Sequence, residues 1–228
     1  MIFNRLQSFS WQFLQPLRSV GLILLTGVSL AFLNACSPTR PADQITDWLV
    51  SVKRSGDPRT PISPVWLKVG TISVTTPFDG KSLVYRLTEG RYEKDFYNAY
   101  IALPNEMFAT ATRTWLNDAG VFRLTVDQSN GFFPYYTLQA HVEEFYGDYR
   151  TKPEAVVSIQ YYLTAASTSK AASPIIFTSR YSQRIALADN SRAALIQGYQ
   201  QALTTILQQL EADFYQKNLQ LPTPRKVR

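Results

Sequence analysis

The stretch that most constrains this chain is residues 18–37, RSVGLILLTGVSLAFLNACS, because it decides which solvent surrounds everything after it. Arg5 and Arg18 make residues 1–18 basic, and this segment contains no acidic residue. Residues 20–33 carry no charge. A basic segment, a short apolar core and small residues before a cleavage point are typical of an export signal. The stretch therefore predicts that the chain leaves the cytoplasm.

The apolar core ends in Leu33, Asn34, Ala35 and Cys36, which has the form of a bacterial lipobox. The thiol of Cys36 accepts a lipid at the membrane surface in such a sequence, and the small Ala35 leaves room for the peptidase. At about 0.8 kcal/mol per buried CH₂, the acyl chains of a processed lipoprotein exceed what stable anchoring requires. We predict that residues 1–35 are a lipoprotein signal peptide and that Cys36 is lipidated.

An uncleaved transmembrane helix is the alternative, since residues 19–39 lack charge for long enough to span about 30 Å of hydrocarbon. Gly21 and Gly27 dilute the apolar core, however, and Cys36 is the only Cys in 228 residues, so no intramolecular disulfide explains it. Ser37 follows the lipobox, where an Asp is a signal for retention in the inner membrane. These features favour a lipid anchor at the periplasmic face of the outer membrane.

Length and charge limit what the mature chain can be. Removing the signal peptide leaves 193 residues with 21 basic and 17 acidic side chains, enough for one domain with a sizeable core. The mild positive charge suits anionic headgroups or an acidic partner but is too diffuse for a nucleic-acid interface. The predicted parts are a signal peptide (1–35), a lipidated Cys with a proline-rich tether (36–64), a domain (65–216) and a basic tail (217–228).

The tether prediction depends on composition, because residues 37–64 contain five prolines and many small or polar residues. Trp48, Leu49 and Val52 are apolar exceptions that can dock either on the domain or on the bilayer interface.

Alternating apolar and polar residues predict seven strands within the domain, at 65–74, 83–88, 91–96, 122–126, 136–142, 155–163 and 175–185. A bulge is expected at Gly70 in the first of them. Helical spacing predicts a helix from Pro104 to Gly120 and another after a cap at Asp189 or Asn190. The face of the second helix opposite its apolar side is rich in glutamine, which indicates either solvent contact or packing against another subunit. This order predicts an α+β fold, a two-layer sandwich in which an antiparallel sheet carries both helices on one face.

Catalytic groups are scarce. His141 is the only His, and Glu143 can orient it, but no motif ties a Ser to the pair, so a hydrolase is a minor hypothesis. Glu143 and Glu144 are adjacent and point to opposite faces of a strand, so they cannot form a carboxylate dyad. One His and a lipidated Cys cannot supply a zinc site, and no Gly-rich loop is available for phosphate. We therefore expect no enzyme activity, no metal and no cofactor beyond the covalent lipid.

The best candidate for binding is a group of guanidinium and phenol side chains on neighbouring strands: Tyr85, Arg86, Arg91 and Tyr92. Arg and Tyr together suit anionic headgroups or the carboxylates of a partner. The alternative is a cross-strand ladder in which Glu89, Glu93 and Asp95 pair with these residues.

Several short motifs occur in the order found in a known family: the lipobox, Pro77 to Gly80, Leu83 to Arg86, Tyr97-Asn98 before Pro104, Trp115-Leu116 with Gly120 to Phe122, and Glu143 to Asp148. Over residues 65–215 the chain resembles the ABC-type transport auxiliary lipoproteins.

The resemblance implies a non-enzymatic outer-membrane lipoprotein that acts as a docking component for an ABC transporter. Its expected partners include a mammalian-cell-entry domain protein, in a system that moves lipids between the two membranes, and a homo-oligomer is also compatible with it. The alternative is a structural or assembly lipoprotein that binds peptidoglycan or an outer-membrane protein.

Overall fold

The computed structural model describes residues 44–129, 131, 134–166 and 174–216. The lipobox with Cys36, the chain up to residue 43 and the predicted tail lie outside these residues. The strands are β1 Thr46–Trp48, β2 Trp66–Val74, β3 Ser82–Thr88, β4 Arg91–Tyr100, β5 Leu124–Val126, β6 Tyr136–Asp148, β7 Glu154–Ala165 and β8 Ile175–Ala186. The helices are α1 Pro104–Ala119 and α2 Arg192–Gln216.

The eight strands of the described chain form one mixed sheet around the long strand β6. One edge of β6 pairs in parallel with β2 and, near its end, with β3, and the other edge pairs in antiparallel with β7. β8 continues from β7 in antiparallel, whereas β1 is parallel to β4 and β5 is parallel to β2. The β3–β4 hairpin completes the sheet.

The prediction of an antiparallel sheet is therefore wrong, since four of the seven strand pairings are parallel. The physical reason is that both kinds of strand have the same two-residue period, so alternation reveals which face is buried but not the direction of the neighbour.

The predicted bulge in β2 is confirmed. The pairing of β2 with β6 shifts register between Val69 and Ile72. A Cβ added at Gly70 would lie 2.9 Å from Cγ2 of Thr137, so the close approach of β6 requires a residue without a side chain.

Both helices form where they were expected. α1 ends at Gly120, which has a φ of 67° and donates its N–H to the carbonyl of Asn117. The cap of α2 is Ser191, whose Oγ accepts the N–H of Ala194 at 3.1 Å, so the prediction of Asp189 or Asn190 is one or two residues early. Asp189 instead accepts the N–H of Ser191 at 2.7 Å and shapes the turn before the cap.

The two helices contact the same face of β7, which we call the helix face. Thr112 of α1 shares a hydrogen bond of 3.1 Å with the hydroxyl of Tyr161, and Gly198 of α2 lies directly over Ala155. Residues 155 and 161 are an even number of positions apart, so their side chains point to one side of the strand. The opposite side of the sheet is called the open face below.

Aromatic rings fill the centre of the core under the helices. Phe145 of β6 lies 5.2 Å from Tyr100, 5.0 Å from Phe108 and 4.5 Å from Tyr199, measured between ring centroids. One apolar stripe of α2 is also buried in the core: Leu195, Tyr199, Leu203, Ile206, Leu210 and Phe214.

Residues 44–64, which the sequence analysis assigns to the tether, are part of the folded domain. β1 pairs with β4, and Val50 is only 3 % exposed. The backbone N–H of Arg59 and that of Ile62 donate to the carbonyls of Asp118 and Gly120 at the end of α1. The proline-rich composition of residues 44–64 is that of an ordered segment with few strand residues, which we call the strap.

Candidate partner-binding surface

The predicted binding residues Tyr85 and Arg86 lie on opposite faces of β3. Tyr85 pairs with Gly147 beneath α2 and is 8 % exposed, whereas Arg86 pairs with Asp148 and points to the open face. Neighbouring residues of a strand necessarily point to opposite faces. The four predicted residues therefore do not form one surface.

On the helix face, Tyr85 belongs to a buried polar cluster around Asp95. Its hydroxyl donates to Asp95 Oδ2 at 2.5 Å, and Arg192 at the start of α2 donates to the same oxygen at 3.2 Å. The guanidinium of Arg192 also lies 5.0 Å from the Tyr85 ring centroid. Burial, together with the hydrogen bond to Asp95, raises the pKa of Tyr85 well above its ordinary value.

Asp95 fixes the backbone of β4 where its pairing with β3 shifts register, a segment that we call the bulge of β4. Its Oδ1 accepts the N–H groups of Tyr97 at 2.8 Å and Asn98 at 3.0 Å. Burial raises the pKa of Asp95, but the hydrogen bonds from Tyr85 and from the Tyr97 backbone outweigh this, so its pKa lies below the ordinary value. Asp95 therefore remains a carboxylate, and its bonds hold Phe96 and Tyr97 in exposed positions.

On the open face, Arg86 lies among aromatic and acidic side chains. Its Nη2 donates to Glu89 at 2.6 Å and its Nη1 to the Tyr146 hydroxyl at 3.5 Å. The guanidinium is 5.6 Å from the ring centroid of Tyr92. Phe78 completes the aromatic group, stacked on Tyr146 at 5.4 Å and edge-on to Tyr92 at 5.9 Å.

Asp148, at the end of β6, links two further arginines to this group. It accepts Nη2 of Arg150 at 2.8 Å and Nη2 of Arg184 at 2.6 Å, and these charges hold its pKa well below the usual range. Arg150 also pairs with Glu89, and Arg184 with Glu154. We call this set the arginine network: Arg86, Arg150, Arg184, Glu89, Asp148 and Glu154.

Three of the motifs that carry the family resemblance meet at the arginine network. Phe78 comes from the motif Pro77 to Gly80, and Arg86 comes from the motif Leu83 to Arg86. Tyr146 and Asp148 come from the motif Glu143 to Asp148. Sequence reasoning missed the parts played by Arg150 and Arg184, which join the network across long sequence separations. The sequence does place Arg180 and Arg184 four residues apart in the predicted strand 175–185, which puts both on one face.

The remaining predicted residues, Arg91 and Tyr92, lie in the β3–β4 hairpin. Arg91 is exposed and forms an ion pair with Glu93, while Tyr92 is 38 % exposed beside Arg86. The bond between Tyr85 and Asp95 joins β3 to β4, as in the cross-strand ladder considered as the alternative, whereas Arg91 pairs within its own strand and Arg86 pairs with Glu89 in the turn.

His141 and Glu143 do not form the arrangement that a hydrolase would need. The ring nitrogens of His141 contact the hydroxyls of Ser73 at 2.8 Å and Thr75 at 3.0 Å. Glu143 follows a register shift in β6 and bonds to Ser158 and Arg180. Both imidazole nitrogens are thus occupied by strand hydroxyls rather than by Glu143.

Neither a metal cluster nor a spanning helix occurs in the described part of the chain. No three His, Cys, Asp or Glu residues there are grouped closely enough to hold a metal ion. None of the helices described above combines the length and the apolar composition needed to cross a membrane.

A cavity of 360 Å³ lies between the strap and α2, and sequence reasoning missed it. Glu211 of α2 accepts Nε and Nη2 of Arg54, both at 3.0 Å, and Nε1 of Trp115 at 2.9 Å. Arg59 pairs with the same carboxylate at 3.3 Å and lies over the ring of Tyr215. These bonds attach the strap to the helix layer.

The described domain is thus a mixed sheet with both helices on one face and with paired charges and aromatic rings on the other. Residues 49–211, more than half of the chain, match the family model described as ABC-type transport auxiliary lipoprotein component. The protein belongs to this family, which is a transport auxiliary family and not one known for enzymes.

Solved structures share the fold at low sequence identity. A Xanthomonas campestris protein, described under the family model DUF330, is similar over 77% of this chain and 99% of its own, with a TM-score of 0.65 and 18% identity. An uncharacterized protein matches 73% of this chain and 99% of its own, with a TM-score of 0.55 and 14% identity. No curated protein matches the chain.

Proposed function

We propose that this protein is an outer-membrane lipoprotein, acylated at Cys36, whose periplasmic domain is the docking component of an ABC transport system. In this proposal a mammalian-cell-entry domain protein is its direct partner, and the system moves lipids between the two membranes. The observation that carries the proposal is the family match over residues 49–211, which follows a lipobox at Leu33, Asn34, Ala35 and Cys36.

The chemistry of the described domain supports a binding role. The charged groups on the open face are engaged with one another, and the imidazole of His141 is held by two hydroxyls. A docking component needs a stable surface and an anchor, and no reactive group has to be activated for that task.

The open face is the proposed docking surface, with Arg86 and Tyr92 at its exposed end, Arg91 at the margin of the hairpin and the buried Tyr85 in a supporting role. Tyr92 stands beside Arg86 of the arginine network, and guanidinium groups next to aromatic rings suit acidic and planar groups of a partner. Tyr85 contributes by holding Asp95 beneath α2.

Co-purification from detergent extracts tests the proposal. The native chain should bring down the transporter ATPase or the mammalian-cell-entry protein, and Tyr92→Glu should reduce the recovered partner several-fold. Arg123→Glu is the matched control, because Arg123 is also exposed but lies beside β5. Recovery without either partner would contradict the docking role, and retention on purified sacculi would instead support the peptidoglycan-binding alternative.

Mass spectrometry of the native protein tests the anchor separately. The mature chain should begin at Cys36 with its thiol acylated. A chain that retains Met1, or a free thiol at Cys36, would contradict the lipoprotein assignment.

A further inference from the structure

Large apolar side chains are exposed along the β1 edge of the sheet. Ile45 precedes β1 and is 61 % exposed, and Leu49 follows it at 51 %. On the neighbouring strand, Tyr97 is 55 % exposed and Ile101 is 58 % exposed. Because β1 and β4 run parallel in register, two of these side chains lie at each end of their pairing.

Phe96 extends this edge further. It is 85 % exposed, and it sits in the bulge whose backbone Asp95 holds through the N–H groups of Tyr97 and Asn98. The side chain is therefore held out in water by a fixed backbone, which costs free energy unless something covers the ring. We call Ile45, Leu49, Phe96, Tyr97 and Ile101 the edge patch.

Basic side chains lie beside the edge patch. Lys81 donates its Nζ to the carbonyl of Ile101 at 3.0 Å, and the exposed Lys94 precedes Phe96 by two residues. Asp47 and Glu93 are exposed acidic residues next to the patch. Aromatic rings with neighbouring lysines are the side chains that proteins place at the level of lipid headgroups.

The position of the edge patch in the chain connects it with the anchor. Eight peptide steps separate Cys36 from Gln44, and an extended chain covers at most about 3.6 Å per residue, so Gln44 stays within about 29 Å of the acylated residue. β1 begins two residues after Gln44 and forms one edge of the sheet, whereas β8 forms another. The length of the chain thus limits how far the start of β1 can stand from the acylated residue.

We infer that the edge patch rests in the interfacial layer of the bilayer that holds Cys36, an inference that depends on the proposed lipidation. Phe96 and Tyr97 reach the boundary between headgroups and acyl chains, and Lys81 and Lys94 contact anionic headgroups. A cavity of 340 Å³ beside Leu49, between the strap and α1, continues the apolar surface inward. The contact orients the domain on the membrane through the free edge of β4.

Spin labelling of the full-length lipidated protein tests this inference. Because Cys36 is the only Cys and its thiol is blocked by acylation, a Cys introduced by Phe96→Cys is the single site for a nitroxide. Ile175→Cys is the matched control, since Ile175 is 61 % exposed on β8. Both proteins are reconstituted in vesicles of phosphatidylethanolamine and phosphatidylglycerol, and the accessibility of each label to oxygen and to a water-soluble nickel chelate is measured.

The ratio of oxygen to nickel accessibility should be several-fold higher for the label at residue 96 than for that at 175. Equal ratios would overturn the inference, and so would spin–spin broadening at low protein density, because it would indicate a second copy on the patch. The unsubstituted protein should take up no label; uptake at Cys36 would mean an unacylated thiol and would count against the proposed function itself. Thermal unfolding should be unchanged in both variants, since each replaces an exposed side chain.

Discussion

At the scale of single residues, two buried carboxylates of the domain stay ionised because each of them accepts hydrogen bonds from neighbouring groups. Asp95 and Asp148 are both nearly inaccessible, and each has a depressed pKa because hydrogen bonds from tyrosine, arginine or backbone N–H groups favour the carboxylate. Removing one partner leaves an unmatched buried group, which costs more than the interaction itself contributes.

Asp148→Asn should lower the free energy of unfolding at pH 7 by about 2 kcal/mol, because Arg150 and Arg184 lose a charged acceptor. The folded pKa of Asp148 lies below its unfolded value of about 3.9, so its contribution is present above that pH and is lost as the pH falls towards the folded pKa. Urea unfolding at a series of pH values should show the difference between wild type and variant shrinking below about pH 4.

Glu89→Gln is the control for this prediction, because the side chain of Glu89 is 81% exposed and its ion pairs are screened by water. It should change the unfolding free energy by no more than about 1 kcal/mol. A gap between wild type and Asp148→Asn that stays constant down to pH 2 would contradict the role of the charge.

At the scale of elements, close packing between α2 and β7 sets the position of the helix layer. Gly198 lets the helix backbone approach Ala155, and the N-terminal end of α2 places Arg192 over Tyr85 and beside Asp95. Arg192 thus helps to position the bulge of β4, because it bonds to the Asp95 side chain that fixes the bulge backbone.

Gly198→Ala should destabilise the domain by about 1 to 3 kcal/mol, since the added Cβ would lie 2.7 Å from the Cβ of Ala155 and from Cδ2 of Leu187. Ala is the better helix former by about 1 kcal/mol, so the sign of the result separates packing from propensity. Gln197→Ala, at the neighbouring exposed position, should leave stability unchanged or slightly raised. Denaturant unfolding of the two variants makes the comparison, and a stabilised Gly198→Ala would contradict the packing.

Elements were predictable from the sequence where their signal is local. The helix beginning at Pro104, the stop at Gly120 and the bulge at Gly70 follow from residues close in the chain. Strand direction was not predictable, because β2 and β6 are joined through β3, β4, α1 and β5, and parallel strands have the same alternation as antiparallel ones. β1 was missed because three residues are too few for a period.

The candidate site was predictable only in part for the same reason. Arg86 and Tyr92 do meet on the open face, as their places in a hairpin suggest. The side chains of Tyr85 and Arg86 lie on opposite faces of the sheet because the two residues are neighbours in a strand, and this could have been stated from the sequence. The contact of Asp148 with Arg184 joins residues 36 positions apart, and nothing local signals it.

At the scale of the whole molecule, the strap couples the start of the domain to the helix layer. Arg54 is nearly buried and bonds to Glu211 through two nitrogens, and Arg59 adds a more exposed ion pair with the same carboxylate. These two arginines therefore attach the strap to α2 through one carboxylate.

Arg54→Ala should free the strap while the sheet stays intact. Hydrogen exchange at the amides of Arg59 and Ile62, which bond to the end of α1, should accelerate at least tenfold, and exchange in β7 should stay as it is. Lys53→Ala, a neighbouring exposed lysine, is the control. Uniform acceleration across strap and sheet would mean that the two unfold as one unit.

The arginine network has a consequence for how firmly a partner can be held. Arg86, Arg150 and Arg184 are already matched with carboxylates of their own chain, so an acidic partner must displace Glu89, Asp148 or Glu154 before it gains a contact. Such an exchange of like for like releases little net free energy and is weakened further by salt. In the proposed docking role, a surface of this kind suits a contact that forms and breaks repeatedly, and a strong attachment would need contacts elsewhere.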